Sequence, residues 1–252
     1  MKKVDKKMRN LKIVIEYDGS RYKGWQTQKG NIATIQEKLE SVISKMTGEE
    51  IQVIGCGRTD TGVHAENYVA NFTTNYEKTV EEMLDYLYEY LPEDIVVKSM
   101  KDTSERFHAR YNVISKTYVY RINNNKYRNV FNKKYVCHIP EKLNVELMKK
   151  AAESLIGTHD FMSFTTLKNK SKATVRTINY INITENDGMI EMEFNGNGFL
   201  KNMVRIISGT LIEIGHGTKK VEDMKKILEA KKRSEAGPTA HAHGLSLKSV
   251  QY

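Results

Sequence analysis

Strand and helix signals alternate along this chain in an order that occurs twice, and that repetition limits its fold more than any single motif does. Apolar alternation with β-branched residues marks a strand over Leu11–Tyr17, and helical periodicity follows over Thr34–Met46 behind a Thr34/Glu37 capping box. Strands are predicted at Ile51–Gly55 and Asn67–Phe72, then a helix capped by Thr79 and Glu82 that runs to Tyr90, then a strand over Ile95–Met100. This order is βαββαβ. The second half repeats it, with a strand at Ser115–Ile122, an Asn-rich loop with a short strand near Tyr135, and a helix over Asn144–Ile156 stopped by Gly157. Two strands follow, Val175–Thr184 and Met189–Phe194, joined at Asp187-Gly188, a strong hairpin turn. Helical periodicity returns over Phe199–Ile214 and Val221–Ala230, and Leu245–Val250 closes the chain as a strand. Each half has the order of a ferredoxin-like unit, which lays its helices on one face of an antiparallel sheet. The expected class is therefore α+β. A basic tail is expected over residues 1–10, a first ferredoxin-like half over 11–105 and a second over 106–252, with one extended antiparallel sheet running through both.

A chain of 252 residues can bury a sizeable core, and its 39% apolar and 28% charged content excludes a disordered protein. Two cysteines, Cys56 and Cys137, are too few for a disulfide framework or a four-thiolate zinc site. The longest apolar runs fall far short of a bilayer span, and the basic N-terminus leads into a strand rather than a signal-peptide core. These features predict a cytoplasmic protein with no membrane partner. The formal net charge is +9, spread over patches at Lys2, Lys3, Lys6, Lys7 and Arg9, at Lys168, Lys170, Lys172 and Arg176, and at Lys231, Lys232 and Arg233. Any one patch reads as a solvated surface. Their sum points to a polyanion, because each cation that neutralises a phosphate releases a counterion.

The loop GCGRTDTGVHA, Gly55–Ala65, sets an Asp between two Thr, beside an Arg and among glycines that permit tight turns. Asp in that setting is usually a turn former. The connection is nevertheless longer and more polar than a hairpin needs, and function concentrates on such loops. Cys56, Asp60 and His64, or Cys137 and His138, or His241 and His243, offer two or three metal ligands each, but none has a zinc spacing. No Gly-rich loop follows a strand and opens a helix in the phosphate-binding manner, so no cofactor is predicted.

Six blocks, taken together, resemble one family. They are YDGSRYKGWQTQ at Tyr17–Gln28, GRTDTGVHA at Gly57–Ala65, RFHARYNVISKTYVY at Arg106–Tyr120, GTHDFMSF at Gly157–Phe164, FLKNMVRIISGTL at Phe199–Leu211 and EAGPTAHAHGLSL at Glu235–Leu247. In this order they are similar to the tRNA pseudouridine synthase A family over nearly the whole chain. The resemblance implies that Asp60 is the catalytic aspartate, Arg205 its salt-bridge partner and Tyr118 the ring that stacks on the target base. It implies an apolar pocket wall at Leu245 and a cation at Arg58 that helps to hold the extruded nucleotide. Thr61 stands where bacterial members commonly have Ala, and His241 where they commonly have Pro. The resemblance further implies an RNA-binding cleft between the halves, action on uridines 38, 39 and 40 of the anticodon stem-loop, and a homodimer.

The chemistry fits those residue types. Moving uracil from an N1 to a C5 glycosidic bond is redox-neutral and needs neither an energy donor nor a metal. A carboxylate can add to the base or the ribose, or can take the C2′ proton on a glycal route, and the sequence leaves these alternatives open. A neighbouring Arg205 would lower the pKa of Asp60 by about 1 to 3 units and keep it ionised in a desolvated pocket. A uridine in a stem must be extruded first, which costs a few kcal/mol and calls for an aromatic or apolar sandwich such as Tyr118 with Leu245. Arg58, Arg110 and the Lys-rich loops would meet phosphates, reading RNA shape more than sequence.

Overall fold

A computed structural model describes residues 8–30, 32–167 and 173–252. The tail cations Lys2, Lys3, Lys6 and Lys7 and the loop cations Lys168, Lys170 and Lys172 lie outside the described residues. Two compact units make up the chain, one of residues up to Val113 together with Tyr252, the other Ile114–Gln251. None of the helices among the described residues is long and apolar enough to cross a membrane.

The first unit runs β1 (Arg9–Tyr17), α1 (Ile35–Thr47), β2 (Ile54–Gly55), β3 (His64–Thr74), α2 (Val80–Tyr90) and β4 (Ile95–Thr103). Its strands lie in the order β4-β1-β3-β2, all antiparallel, which is the ferredoxin-like arrangement. Period-two alternation puts Leu11, Ile13, Ile15 and Tyr17 on one face of β1, and all four are buried. Phe72, Ala70 and Tyr68 stand opposite on β3, and Met100 opposite Ile13 on β4. The apolar stripe of α1 (Ile35, Leu39, Ile43, Met46) and the α2 residues Met83 and Leu87 complete this core. The two helix starts behave differently. Thr79 and Glu82 close a full reciprocal capping box, whereas Thr34 accepts from the Glu37 amide without the return bond.

The predicted strand over Ile51–Gly55 contracts to two residues because α1 side chains take its backbone groups. Ser44 Oγ accepts from the Ile51 amide at 3.0 Å, Glu40 Oε1 from the Val53 amide at 3.0 Å, and Gln36 Nε2 donates to the Val53 carbonyl at 3.2 Å. Backbone groups satisfied by side chains have no need of a ladder partner.

The other face of the first sheet holds a polar relay. Asn71 Nδ2 donates to Asn10 Oδ1 at 2.9 Å, and Asn10 Nδ2 donates to the carbonyls of Ser104 and Phe107, each at 2.9 Å. Asn71 Oδ1 accepts from the Ala109 amide at 2.8 Å, and Tyr252 donates to the Ala109 carbonyl at 2.7 Å. Residues 104–112 are thereby folded onto the first unit, whose boundary falls after Val113. Both asparagines are buried, so Asn71→Ala would strand Asn10 Oδ1 and the Ala109 amide. Each unsatisfied group costs about 1–3 kcal/mol, so urea denaturation of Asn71→Ala should show a loss of about 2 kcal/mol or more for the two together. A loss below about 0.5 kcal/mol, where ordinary surface changes lie, would mean that the relay does not hold the segment.

The second unit runs β5 (Ser115–Asn123), β6 (Cys137–His138), α3 (Val145–Glu153), β7 (Gly157–Asp160), β8 (Val175–Asn186), β9 (Met189–Gly196), α4 (Met203–Gly215), α5 (Asp223–Ala230) and β10 (Leu245–Gln251). Its strand order β10-β5-β9-β8 repeats the ferredoxin-like order, with β7 added at the β8 edge. The β8–β9 hairpin turns at Asp187 and Gly188, φ 48° and 73°, as that dipeptide predicts. Tyr118, Tyr120 and Ile122 share the core face with Phe194, Met192 and Ile190 of β9, against Met148, Leu211 and Ile214 of the helices. The opposite face is polar, with Asn195 Nδ2 donating to Thr117 Oγ1 at 2.9 Å and Tyr180 donating to Glu193 at 2.8 Å.

Three local expectations differ. The helix predicted from Phe199 starts at Met203, because Asn202 takes a left-handed conformation at φ 60° and interrupts the periodicity. The predicted Asn144–Ile156 helix ends at Glu153, and Gly157, φ 104°, opens β7 instead of stopping the helix. The short strand β6 pairs with β5 in parallel, the one departure from the antiparallel pattern among the described pairs.

Candidate active site

Arg58 and Asp60 sit on the loop between β2 and β3, and the segment after β1 clamps that loop. Thr59 is buried, its Oγ1 2.8 Å from the Tyr17 hydroxyl and its carbonyl accepting from the Trp25 amide at 3.2 Å. Asp60, half-buried, accepts at its carbonyl from the Val63 amide at 3.1 Å, and the Gly62 amide donates to the Tyr22 carbonyl at 3.3 Å. The Tyr68 hydroxyl, on a ring stacked against Trp25 at 3.9 Å, bonds the Gly57 carbonyl. Two glycines make this closeness possible. A Cβ on Gly19 would lie 2.0 Å from the Val63 carbonyl oxygen, and one on Gly24, where φ is +90°, would lie 2.5 Å from that of Thr59. The spacing of YDGSRYKGW thus acquires a physical meaning, since it supplies the clamp for the Asp60 loop.

Beside the loop, still within the first unit, opens a cavity of about 320 Å³ lined by Trp25, Gln26, Gln52, Arg58, Arg110 and Tyr111 among others. Arg58 Nε donates to Gln26 Oε1 at 3.3 Å. His108 stacks on Tyr111 with ring centroids 4.2 Å apart, and the Arg110 guanidinium lies 5.9 Å from the Tyr111 ring centre. Two guanidiniums beside an exposed Tyr111 ring stacked on the half-buried His108 are equipped for a phosphate next to a base. Of the expected residues, Arg58 and Arg110 share this cavity, and Asp60 is two residues from Arg58. Sequence reading passed over Gln26, Gln52, His108 and Tyr111, although the RFHARY block carries the last two.

The second unit places Tyr118, Arg205 and Leu245. Tyr118, buried on β5, meets Phe199 edge-to-face at 5.3 Å and stands opposite Phe194 and Leu247. Leu245 lies on the same sheet face, opposite Tyr120. Arg205 is half-buried in the first turn of α4, where Nε donates to the Ala240 carbonyl at 2.7 Å and NH1 donates to Asn202 Oδ1 at 3.0 Å. The Ala240 amide returns a bond to the Arg205 carbonyl at 3.1 Å. These bonds fix the guanidinium stem, and they tie the EAGPTAHAHGLSL block to the MVR block. Phe199 joins Tyr118 from a block whose helical reading concealed it.

Among the described residues no group of three or more His, Cys, Asp or Glu side chains could hold a metal ion. His241 and His243 stack at 5.5 Å. Burial pushes the Cys137 thiol up, which disfavours the thiolate that nucleophilic or metal chemistry requires.

The family model described as tRNA pseudouridine synthase matches residues 13–112 and 151–252. The chain belongs to that family. It is 69% identical to tRNA pseudouridine synthase A 1 of Clostridium tetani over 97% of this chain and 100% of the relative. It is 47% identical to tRNA pseudouridine synthase A 2 of Bacillus cereus, and 45% identical to tRNA pseudouridine synthase A 2 of Clostridium tetani, again over 97% of this chain. Pseudouridine synthases are isomerases, and the clamped aspartate loop lies inside the first matched stretch. Arg205 and Leu245 lie inside the second, while Tyr118 falls between the two.

Proposed function

We propose that this tRNA pseudouridine synthase modifies uridines 38, 39 and 40 of the anticodon stem-loop, with Asp60 as its essential carboxylate, and works as a homodimer. The observation that carries the assignment of Asp60 is the loop itself. A turn-forming Asp needs no anchoring, yet this one is flanked by a buried Thr59 fixed through Tyr17 and Trp25, and by Gly62 fixed through Tyr22. Such fixing holds the backbone from which the carboxylate projects, so less ordering is left to the moment of reaction.

In the reaction the N1–C1′ bond breaks, uracil turns, C5 bonds to C1′, the C5 proton leaves to solvent and N1 takes up a proton in its place. Asp60 acts at the ribose or the base. Arg205 supplies the positive charge that favours its ionised form, and Tyr118 with Leu245 encloses the extruded base. Arg58 and Arg110 hold adjoining phosphates.

The test uses unmodified tRNA transcript tritiated at uridine C5, because forming the C5 glycosidic bond must free that label. Release to water, mapped to the anticodon stem-loop, supports the reading. Release from another region would reassign the substrate site, and absence of release would overturn the activity. Light scattering of the free protein reports the dimer.

A further inference from the structure

The Asn-rich loop between β5 and β6 has no part in the site described above. From Asn123 to Pro140 it contains Lys126, Arg128, Lys133 and Lys134 and not one Asp or Glu. All four cations are exposed. Interleaved with them, Tyr127 is 75% and Phe131 93% exposed. Scattered surface apolar residues require no explanation, but an aromatic almost wholly in water at the tip of an acid-free basic loop does.

The neck of the loop is tied. Asn124 Nδ2 donates to the carbonyls of Ile139 and Glu141, each at 2.7 Å, and the Ile139 amide donates to the Asn123 carbonyl at 3.0 Å. At the tip Asn129 Oδ1 accepts from the Phe131 amide at 2.9 Å, and the Tyr135 amide donates to the Asn132 carbonyl at 2.8 Å. Asn124 and Asn129 therefore spend their side chains on shaping the loop, which reduces the ordering cost of any interaction it makes.

We propose that this loop is a second RNA-contact element, in which Phe131 and Tyr127 stack on unpaired bases and the four cations meet the flanking phosphates, outside the stem that holds the target uridine. The proposal rests on the tRNA-modifying reading and deepens it. Cations around exposed aromatic rings suit single-stranded RNA, since phosphates supply affinity and every base offers a stacking face. A two-fold contact of the loop with its own copy would oppose four cations to four and is disfavoured by charge.

The test compares the full-length enzyme with K126A/R128A/K133A/K134A and with F131A, all at exposed positions, on whole tRNA and on the isolated anticodon stem-loop. Removing the cations should flatten the dependence of log Kd on log salt for whole tRNA, by about 0.7–0.9 for each phosphate that is no longer neutralised. F131A should weaken whole-tRNA binding by about fivefold or more, the lower end for one stacked base. Tritium release at saturating tRNA should be unchanged in both variants, as should binding of the stem-loop. An unaltered salt slope and affinity in both variants, with wild type releasing label, would overturn the loop assignment alone. A change of oligomeric state in either variant would also overturn it, making the loop an interface between copies. Absence of release by wild type would instead defeat the activity, and the binding comparison would still judge the loop.

Discussion

Asp60→Asn is expected to reduce tritium release to background while leaving tRNA affinity within about a few-fold of wild type. The substitution removes a charge and a nucleophile but almost no volume. The backbone bond from the Val63 amide to the residue 60 carbonyl and the anchors on Thr59 and Gly62 do not depend on the side chain. The loop should keep its shape, so a loss of turnover would report chemistry rather than unfolding. A residue whose interaction exists only in the transition state lowers kcat and kcat/KM together, and this is the pattern expected in single-turnover and steady-state assays. Comparable turnover by Asp60→Asn would remove Asp60 from the mechanism. Weakened binding with unchanged turnover would make it a substrate-binding group only.

Gly209→Ala should destabilise the protein even though it improves the helix. Gly209 lies in the middle of α4, where replacing glycine by alanine ordinarily gains about 1 kcal/mol. Here a Cβ would fall 1.9 Å from the Pro238 carbonyl oxygen and 3.0 Å from its carbon. Backbone cannot rotate away as a side chain would, so the 236–240 segment must shift. That segment donates from Gly237 to Thr210 Oγ1 at 2.9 Å and exchanges backbone and guanidinium bonds with Arg205. Overpacking alone costs about 1–3 kcal/mol, and the disturbed hydrogen bonds add about 1 kcal/mol each. The expected net loss is about 2 kcal/mol or more, seen as a fall in Tm of roughly 2–4 °C per kcal/mol for a chain of this size. An unchanged or raised Tm would mean that the segment moves aside without cost. Turnover should fall as well, since Arg205 shares the displaced anchors.

The alternation of Leu11, Ile13, Ile15 and Tyr17, the box of Thr79 and Glu82, and the Asp187-Gly188 turn are signals that complete themselves within a few residues, and each appears in the structure where the sequence puts it. Their order, βαββαβ twice, is enough for the α+β class and for two ferredoxin-like sheets. The six blocks are likewise enough for the family. The strand over Ile51–Gly55 shrank to Ile54–Gly55 because Gln36, Glu40 and Ser44 reach its first residues from a helix, a competition that no local window contains.

The candidate site divides along the same line. The loop singles out Asp60 as a candidate, while the roles proposed for Asp60, Arg58, Tyr118, Arg205 and Leu245 come from the resemblance of the blocks, and Arg110 is named as a phosphate contact. What holds them was not legible. That Gly19 and Gly24 exist for the approach of the Asp60 loop, that Asn10 and Asn71 carry residues 104–112, and that the 236–240 segment grips Arg205 depends on contacts between residues far apart in the chain. Periodicity and capping act over one or two turns and leave their mark in sequence, so the chain by itself determined its elements, their order and its family. Close approach and the burial of polar partners arise only when distant segments meet, and for that reason the tertiary structure alone decided how the aspartate loop, the cavity beside it and the arginine of α4 are fixed.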